Sequence, residues 1–240
     1  MSSILLEVCV DDPAGLGAAV AGGADRIELC SALSVGGLTP SAGLMAMAST
    51  FDVPVYAMIR PRPGDFIFGD AEIDVMRRDI DAARNAGLAG VVLGASRPEG
   101  ALDVETLRNL VDTAAGLGTT LHRAFDLVPD FEDAVDVAVA LGFERILTSG
   151  GGKRAPDAIE NLAAIIEMAA GRVSIMPGSG VTLESIGQLM SRLPVSEVHS
   201  SCSVAEDGAR GRIVELGFVA PGARRTDIDT VRALKAYLTR

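Results

Sequence analysis

The feature that most limits what this chain can fold into is a regular alternation. Short runs rich in β-branched and apolar residues recur along it, and each is followed by an Ala-rich segment studded with Asp, Glu and Arg at helical spacing. Strands are expected at Leu5–Cys9, Arg26–Cys30, Val55–Arg60, Gly90–Gly94, Thr119–Arg123, Arg145–Ser149, Arg172–Met176 and Val195–His199. Helical patterns lie between them at about Pro13–Ala21, Ser41–Ser49, Asp70–Ala86, Val104–Gly116, Phe131–Leu141, Asp157–Ala170 and Leu183–Ser191, with a last one from about Asp227 to Leu238. Pro40 and Pro156 fall in or near first helical turns, Gly87 and Gly142 sit where a C-terminal cap belongs, and Thr182 suits an N-cap. No Pro-rich or Ser/Gly-rich linker interrupts the 240 residues. An eightfold β-α alternation over one undivided domain, residues 1–240, predicts an α/β fold of the TIM (β/α)8 barrel type, with a doubly wound open sheet as the alternative. The irregular stretch is Ser200–Arg225, too long for a simple connection before the last helix and carrying no recognisable motif.

Composition narrows the function classes. Hydrophobic residues at 48% and charged residues at 22% describe a globular chain with a sizeable core. A formal net charge of -11 repels polyanions, so neither nucleic acid nor an anionic membrane is an expected partner. Three cysteines, an odd number in a chain of this size, argue against a disulfide framework and for a reducing compartment, the cytoplasm. The opening MSSILLEVCVDD has no basic n-region and its apolar run is broken by Glu7, so neither a signal peptide nor an anchor is expected.

Several strands alternate where buried parallel strands are normally apolar throughout. With Leu6 and Val8 packing on helices, Leu5, Glu7 and Cys9 face the barrel interior; with Ile27 and Leu29 outward, Arg26, Glu28 and Cys30 face in. The same logic sends Tyr56, Met58 and Arg60 inward, then Thr120 and His122, Ser174 and Met176, and Glu197 and His199. Polar groups therefore climb toward the C-terminal strand ends, where sites of this fold are built. A buried ion network of Glu7, Glu28, Arg60, His122 and Glu197 is the plain alternative, though such pairs are weak devices for stability alone.

The triplet Glu-x-Cys closes both of the first two strands. Cys9 and Cys30 on neighbouring strand ends would have Cα atoms roughly 5 to 7 Å apart and could share one soft ion, for which two thiolates favour Cu(I). Burial as small hydrophobes is the other use of such cysteines. The third strand runs into MIRPRPGDF, where Arg60 and Arg62, with Asp65, make a guanidinium-rich loop over the mouth. With His122 and Arg123 in LHRAFD this forms a cationic spot whose natural occupant is a small anion. TSGGGK and MPGSGV, with Gly150, Gly178 and Gly180, are glycine turns able to offer backbone N–H groups to such an anion or merely to shape tight βα turns.

The blocks EVCVD, GGADRIELCSALSVGGLTPS, MIRPRPGDF, LHRAFD, GFERILTSG and MPGSGV resemble the CutC family of copper homeostasis proteins, over most of the chain up to about His199. The resemblance implies a TIM barrel, a cytoplasmic location and Cu(I) held by the cysteines that end the first two strands, Cys9 and Cys30 here. After the eighth strand the chain reads EVHSSCS and departs from the family pattern, so Cys202 is not assigned as a ligand, and Glu206–Arg225 fits that pattern poorly. A copper carrier has no need of Arg60, Arg62, His122, Asp126 and paired glutamates. These point to a competing enzyme reading, a lyase or isomerase for a small carboxylated or phosphorylated substrate, in which Glu28, His122 and Asp126 are the catalytic candidates. The partners expected are a copper ion or a small anionic molecule, and a second copy of the chain in a homo-oligomer.

Overall fold

The computed structural model describes residues 4–206, 211–218 and 222–239. The order of elements is β1 (Leu5–Val10), α1 (Pro13–Gly22), β2 (Arg26–Leu29), α2 (Ala42–Ala48), β3 (Val55–Met58), α3 (Asp70–Asn85), β4 (Gly90–Leu93) and α4 (Val104–Thr113). It continues with β5 (Gly118–Leu121), α5 (Phe131–Leu141), β6 (Arg145–Thr148), α6 (Ile159–Ala169), β7 (Ser174–Pro177), α7 (Ile186–Arg192), β8 (Glu197–Ser200), β9 (Ser203–Ala205), α8 (Arg212–Glu215), β10 (Arg224–Thr226) and α9 (Ile228–Leu238). The first eight strands form one parallel sheet ordered β7-β6-β5-β4-β3-β2-β1-β8. β7 and β8 are its two ends in that order, and Ser174 Oγ on β7 donates to Glu197 on β8. The architecture is a TIM barrel.

Local chemistry explains the helices. Asp12 accepts from Gly15 N at 2.8 Å and Pro13 occupies the first turn of α1, so the helix starts with its orphan N–H groups matched. Asp130 caps α5 through Glu132 N and Asp133 N, and Gly142 ends it in the left-handed conformation. α7 begins three residues later than the pattern suggested. Ser185 Oγ accepts from Thr182 N at 2.9 Å and donates to Gly180 O at 2.8 Å, which holds Thr182–Ser185 as a turn rather than a first helical turn.

The main apolar core lies between strands and helices. Leu6, Val8, Ile27, Leu29, Ala57, Ile59, Val91 and Leu93 point outward from the sheet into it, fully buried. Each large side chain so placed contributes about 1.5–3 kcal/mol. The inward faces are left for the other residues of the same strands, among them the buried polar Glu7, Arg26 and Glu28 and a small apolar cluster of Cys30, Tyr56, Met58 and Val92. The stretch expected as an irregular connection is partly regular, since β9 and β10 pair antiparallel and α8 lies between them. Residues 207–210 and 219–221 of it lie outside the described residues.

Candidate functional site

Register decides which inward residues meet. Glu7 on β1 stands opposite His199 on β8 and Arg26 on β2, and Cys9 stands opposite Glu28. Cys9 and Cys30 are therefore not level, contrary to the sequence expectation. Cys30 lies one inward step higher along β2, because the stagger that closes a barrel shifts each strand along its neighbour.

The lower tier is an ion ladder. Arg26 donates to Glu7 and to Glu197, and Glu197 also accepts from Ser174 and lies 3.4 Å from Arg145. Both guanidinium groups lie against the ring of Tyr56, at 5.5 and 4.8 Å from its centroid, and the Tyr56 hydroxyl donates to Glu144 at 3.0 Å. Burial opposes the charge on Arg26, but Glu7 and Glu197 outweigh it and hold the group protonated more firmly than usual. Glu197, expected at the mouth, is instead at this deep end, because it is the first residue of β8 and not the last.

Above it the groups converge. Glu7 is wholly buried, and one oxygen accepts from Arg26 while the other meets His199 Nδ1 at 2.8 Å. Burial pushes the Glu7 carboxyl up, yet the bond from His199 and the charge of Arg26 prevail and hold it down at about 2. His199 Nε2 lies 3.8 Å from Glu28 Oε2, and a ligand atom each from Cys9, Glu28 and His199 lie within 4.8 Å of one another. Burial disfavours the imidazolium, but Cys9, Glu28 and Glu7 raise it well above the usual imidazole range. Burial raises Glu28 above an ordinary carboxyl, opposed by His199, and its Oε1 has no partner among the described residues. The thiol of Cys30 donates to Glu28 at 3.6 Å, is pushed up by burial and then by Glu28, and packs with Tyr56, Met58 and Val92.

These groups floor a cleft of about 200 Å³, lined by Cys9, Glu28, Arg60, Phe66, His122 and His199 among others. Arg60 is 5% exposed, and its hydrogen bonds run to the backbone oxygens of Val35, Gly37 and Gly64 at 2.8–3.2 Å. The chain can wrap it so closely because Gly36 and Gly37 take positive φ, and a Cβ on Gly36 would stand 3.2 Å from the guanidinium. Among the described residues no carboxylate pairs with Arg60, its Nε is unpartnered, and burial together with Arg62 lowers its hold on the proton. Phe66 lies under that guanidinium at 4.8 Å and against the ring of His122 at 4.7 Å. His122 Nδ1 accepts from Ala124 N, which leaves the proton on Nε2, an atom without a partner among the described residues. Burial and then Arg60 push this imidazole down to about 3, so it is neutral.

Other sequence candidates are drawn elsewhere. Arg62 is bound to Asp65 and Glu72 and lies over Phe68, outside the cleft. Asp126 turns away into TSGGGK, accepting from Thr148 Oγ1, Ser149 N and Gly151 N and pairing with Arg123 at 2.7 Å. The glycine turn thus already holds a carboxylate, and Gly150 N goes to Thr148 Oγ1. Gly178 N donates to Thr148 O, and Gly180 is packed under Arg154. Of the predicted anion-binding residues, only Arg60 lines the cleft; Arg123, expected at the mouth, joins it there. Phe66, Leu33 and Ser179 also line it and were not among the sequence candidates, although they fall in the MIRPRPGDF, GGADRIELCSALSVGGLTPS and MPGSGV blocks.

With this geometry in view, comparison with known proteins is specific. The CutC family pattern matches residues 4–204. The chain belongs to the CutC family. A CutC protein of Rhizobium meliloti is 66% identical over 238 residues, covering 99% of this chain and 97% of the relative. One from Vibrio cholerae is 48% identical over 199 residues, covering 82% and 78%. The solved CutC of Streptococcus agalactiae, described as a copper homeostasis protein, superposes with a TM-score of 0.79 at 34% identity, over 82% of this chain and 98% of its own. An aldolase at 15% identity and TM-score 0.61, over 81% and 89%, shares the fold alone with this CutC chain. Among the described residues, no helix is long and apolar enough to cross a membrane.

Proposed function

We propose that this CutC protein is an enzyme acting on a small anionic molecule seated in the cleft on Arg60. The observation that carries the reading is a buried guanidinium with no carboxylate partner among the described residues, in a cleft also lined by Glu28 and His122, whose Oε1 and Nε2 are likewise unsatisfied. Buried charges and polar atoms are normally paired, so three such atoms around one cleft speak for a ligand that pairs them. Arg60 would bind the anion, neutral His122 would donate a hydrogen bond, and Glu28, with its raised carboxyl, would move a proton. Three free thiols support a reducing, cytoplasmic setting.

The test is ligand-induced stabilisation. Millimolar small carboxylates or phosphate should raise the melting temperature of the parent, as expected for any ligand that binds only the folded state. Arg60→Met should lose that rise while still folding. An equal rise in both proteins would sink the assignment of Arg60.

A second reading is favoured by the Cys9, Glu28 and His199 group and by the copper homeostasis description of the Streptococcus agalactiae relative. One thiol, one imidazole and one carboxylate fit a single borderline metal ion better than a two-thiolate Cu(I) centre, since Cys30 is outside the group and bonded to Glu28. Bound there, a metal would supply Lewis acidity or simply be carried as cargo. Anaerobic Cu(I) titration separates the cases: binding abolished by Cys9→Ser and untouched by Cys30→Ser supports the mixed site, and loss in both supports the two-thiol site.

A further inference from the structure

Cys9 sits differently from the other cysteines. Cys30 packs among Tyr56, Met58 and Val92, and Cys202 lies in the helix-side core. Cys9 lines the cleft beside an imidazole whose far nitrogen is held by a buried carboxylate. The three come from two hydrogen-bonded strands. Glu7 and Cys9 are two apart on β1 and so share its inward face, and register sets Glu7 beside His199 on β8. Arg26 fixes the other oxygen of Glu7, so the carboxylate cannot turn away. With Nδ1 on Glu7, Nε2 is the nitrogen left for the thiol. A nucleophile, a base within reach and a third group orienting the base are the parts of covalent acyl transfer, recognised by geometry whatever the fold.

We propose that Cys9 is a covalent nucleophile toward an acyl carbon, with His199 as its base and Glu7 as a positioning residue. The proposal deepens the enzyme reading and rests on it for the anion on Arg60. It gives the enzyme a reaction, hydrolysis of an ester, lactone or amide carried by a small anion, in place of the lyase or isomerase chemistry expected from the sequence. The pair reacts with its shared proton resting on His199 Nε2: sulfur bonds to the carbonyl carbon and the C=O electron pair moves to oxygen. His122 lines the cleft and its Nε2 has no partner among the described residues, so its N–H is available to that oxyanion. The electron pair returns, the bond to the leaving alkoxide or amine breaks, and His199 hands that group its proton. Water then attacks the thioester and gives a proton to His199, and the carboxylic acid leaves as the carbon–sulfur bond breaks, restoring the pair with its proton on His199.

The experiment uses the full chain and mono-4-nitrophenyl terephthalate, whose para carboxylate cannot reach its own ester, with 4-nitrophenyl benzoate as the neutral comparator, both in EDTA. One equivalent of nitrophenolate should appear as a burst, with a 4-carboxybenzoyl adduct mapped to Cys9 by peptide mass spectrometry. Cys9→Ser should lose both, Cys30→Ser should keep both, and His199→Gln should slow the burst on the order of 100-fold. Glu7→Gln should slow the burst while leaving the half-saturating ester concentration unchanged, a split that general loosening of the barrel would not produce. The proposal is overturned if folded parent protein gives no Cys9 adduct, or if His199→Gln reacts as fast. A Cys9 adduct dependent on His199 that forms equally from the neutral ester, and equally in Arg60→Met, keeps the nucleophile and removes the anion reading.

Discussion

At the scale of single residues, His122 ties the cleft to acid stability. Its unfolded imidazole protonates near 6.5 and the folded one resists until about 3. Across that window the unfolded chain binds a proton that the folded chain does not, so lowering the pH favours unfolding by about 1.4 kcal/mol per unit. Glu7, held near 2 against an ordinary 4.5, pulls in the same direction at the acid end. His122→Gln should therefore reduce the loss of stability between about pH 7 and pH 4.5 by roughly 2–3 kcal/mol. Urea midpoints of both proteins at the two pH values measure this, and parallel losses would show that the ring titrates normally. The inward Glu7, Glu28, His122 and His199 were legible in the sequence from period-two alternation. Which of them touch was not, because alternation gives the face and says nothing of register. Glu197 shows the difference: inward as expected, yet one tier below the cleft on Arg26.

At the scale of elements, the strands were legible because each is a short apolar run closed by Gly, Pro or a polar end residue, and caps such as Asp12 and Gly142 mark helix limits directly. The glycines inside strands carried a different message. Gly90 opens β4 beside Tyr56, and a Cβ there would stand 2.2 Å from the ring and 2.6 Å from the Gly118 oxygen. This is room for an aromatic on the neighbouring strand. Gly90→Ala should destabilise the protein by about 1–3 kcal/mol through overpacking. Gly87→Ala, with open space at Cβ but a positive φ, tests backbone strain alone in the same denaturation series. Equal stability of Gly90→Ala and the parent would mean that Tyr56 moves freely. The glycine turns after β6 and β7 read equally as anion seats or as tight βα turns in the sequence, which cannot show that Asp126, some twenty residues earlier in the chain, already fills the one after β6.

At the scale of the whole molecule, the inside of the barrel is divided into an ion ladder below and a reactive tier above, joined through Glu7. Such a ladder gains little over apolar packing, but removing one member leaves its neighbours buried and uncompensated. Arg26→Met should cost about 3–5 kcal/mol by stranding Glu7 and Glu197, whereas breaking the exposed Arg192–Glu160 pair should cost under about 1 kcal/mol. Chemical denaturation of the two variants gives the comparison; similar losses would mean that solvent reaches the ladder.

The occupied turn after β6 has a consequence for how this fold changes its chemistry. Asp126 acts there as a resident counter-charge, a covalently tethered occupant of the donors that a free anion would need. Exchanging it for a side chain without charge would vacate three ready-made donors and release Arg123 in a single step. A barrel descended from this one would thus lie one codon from accepting phosphorylated compounds at a second seat, without rebuilding any strand.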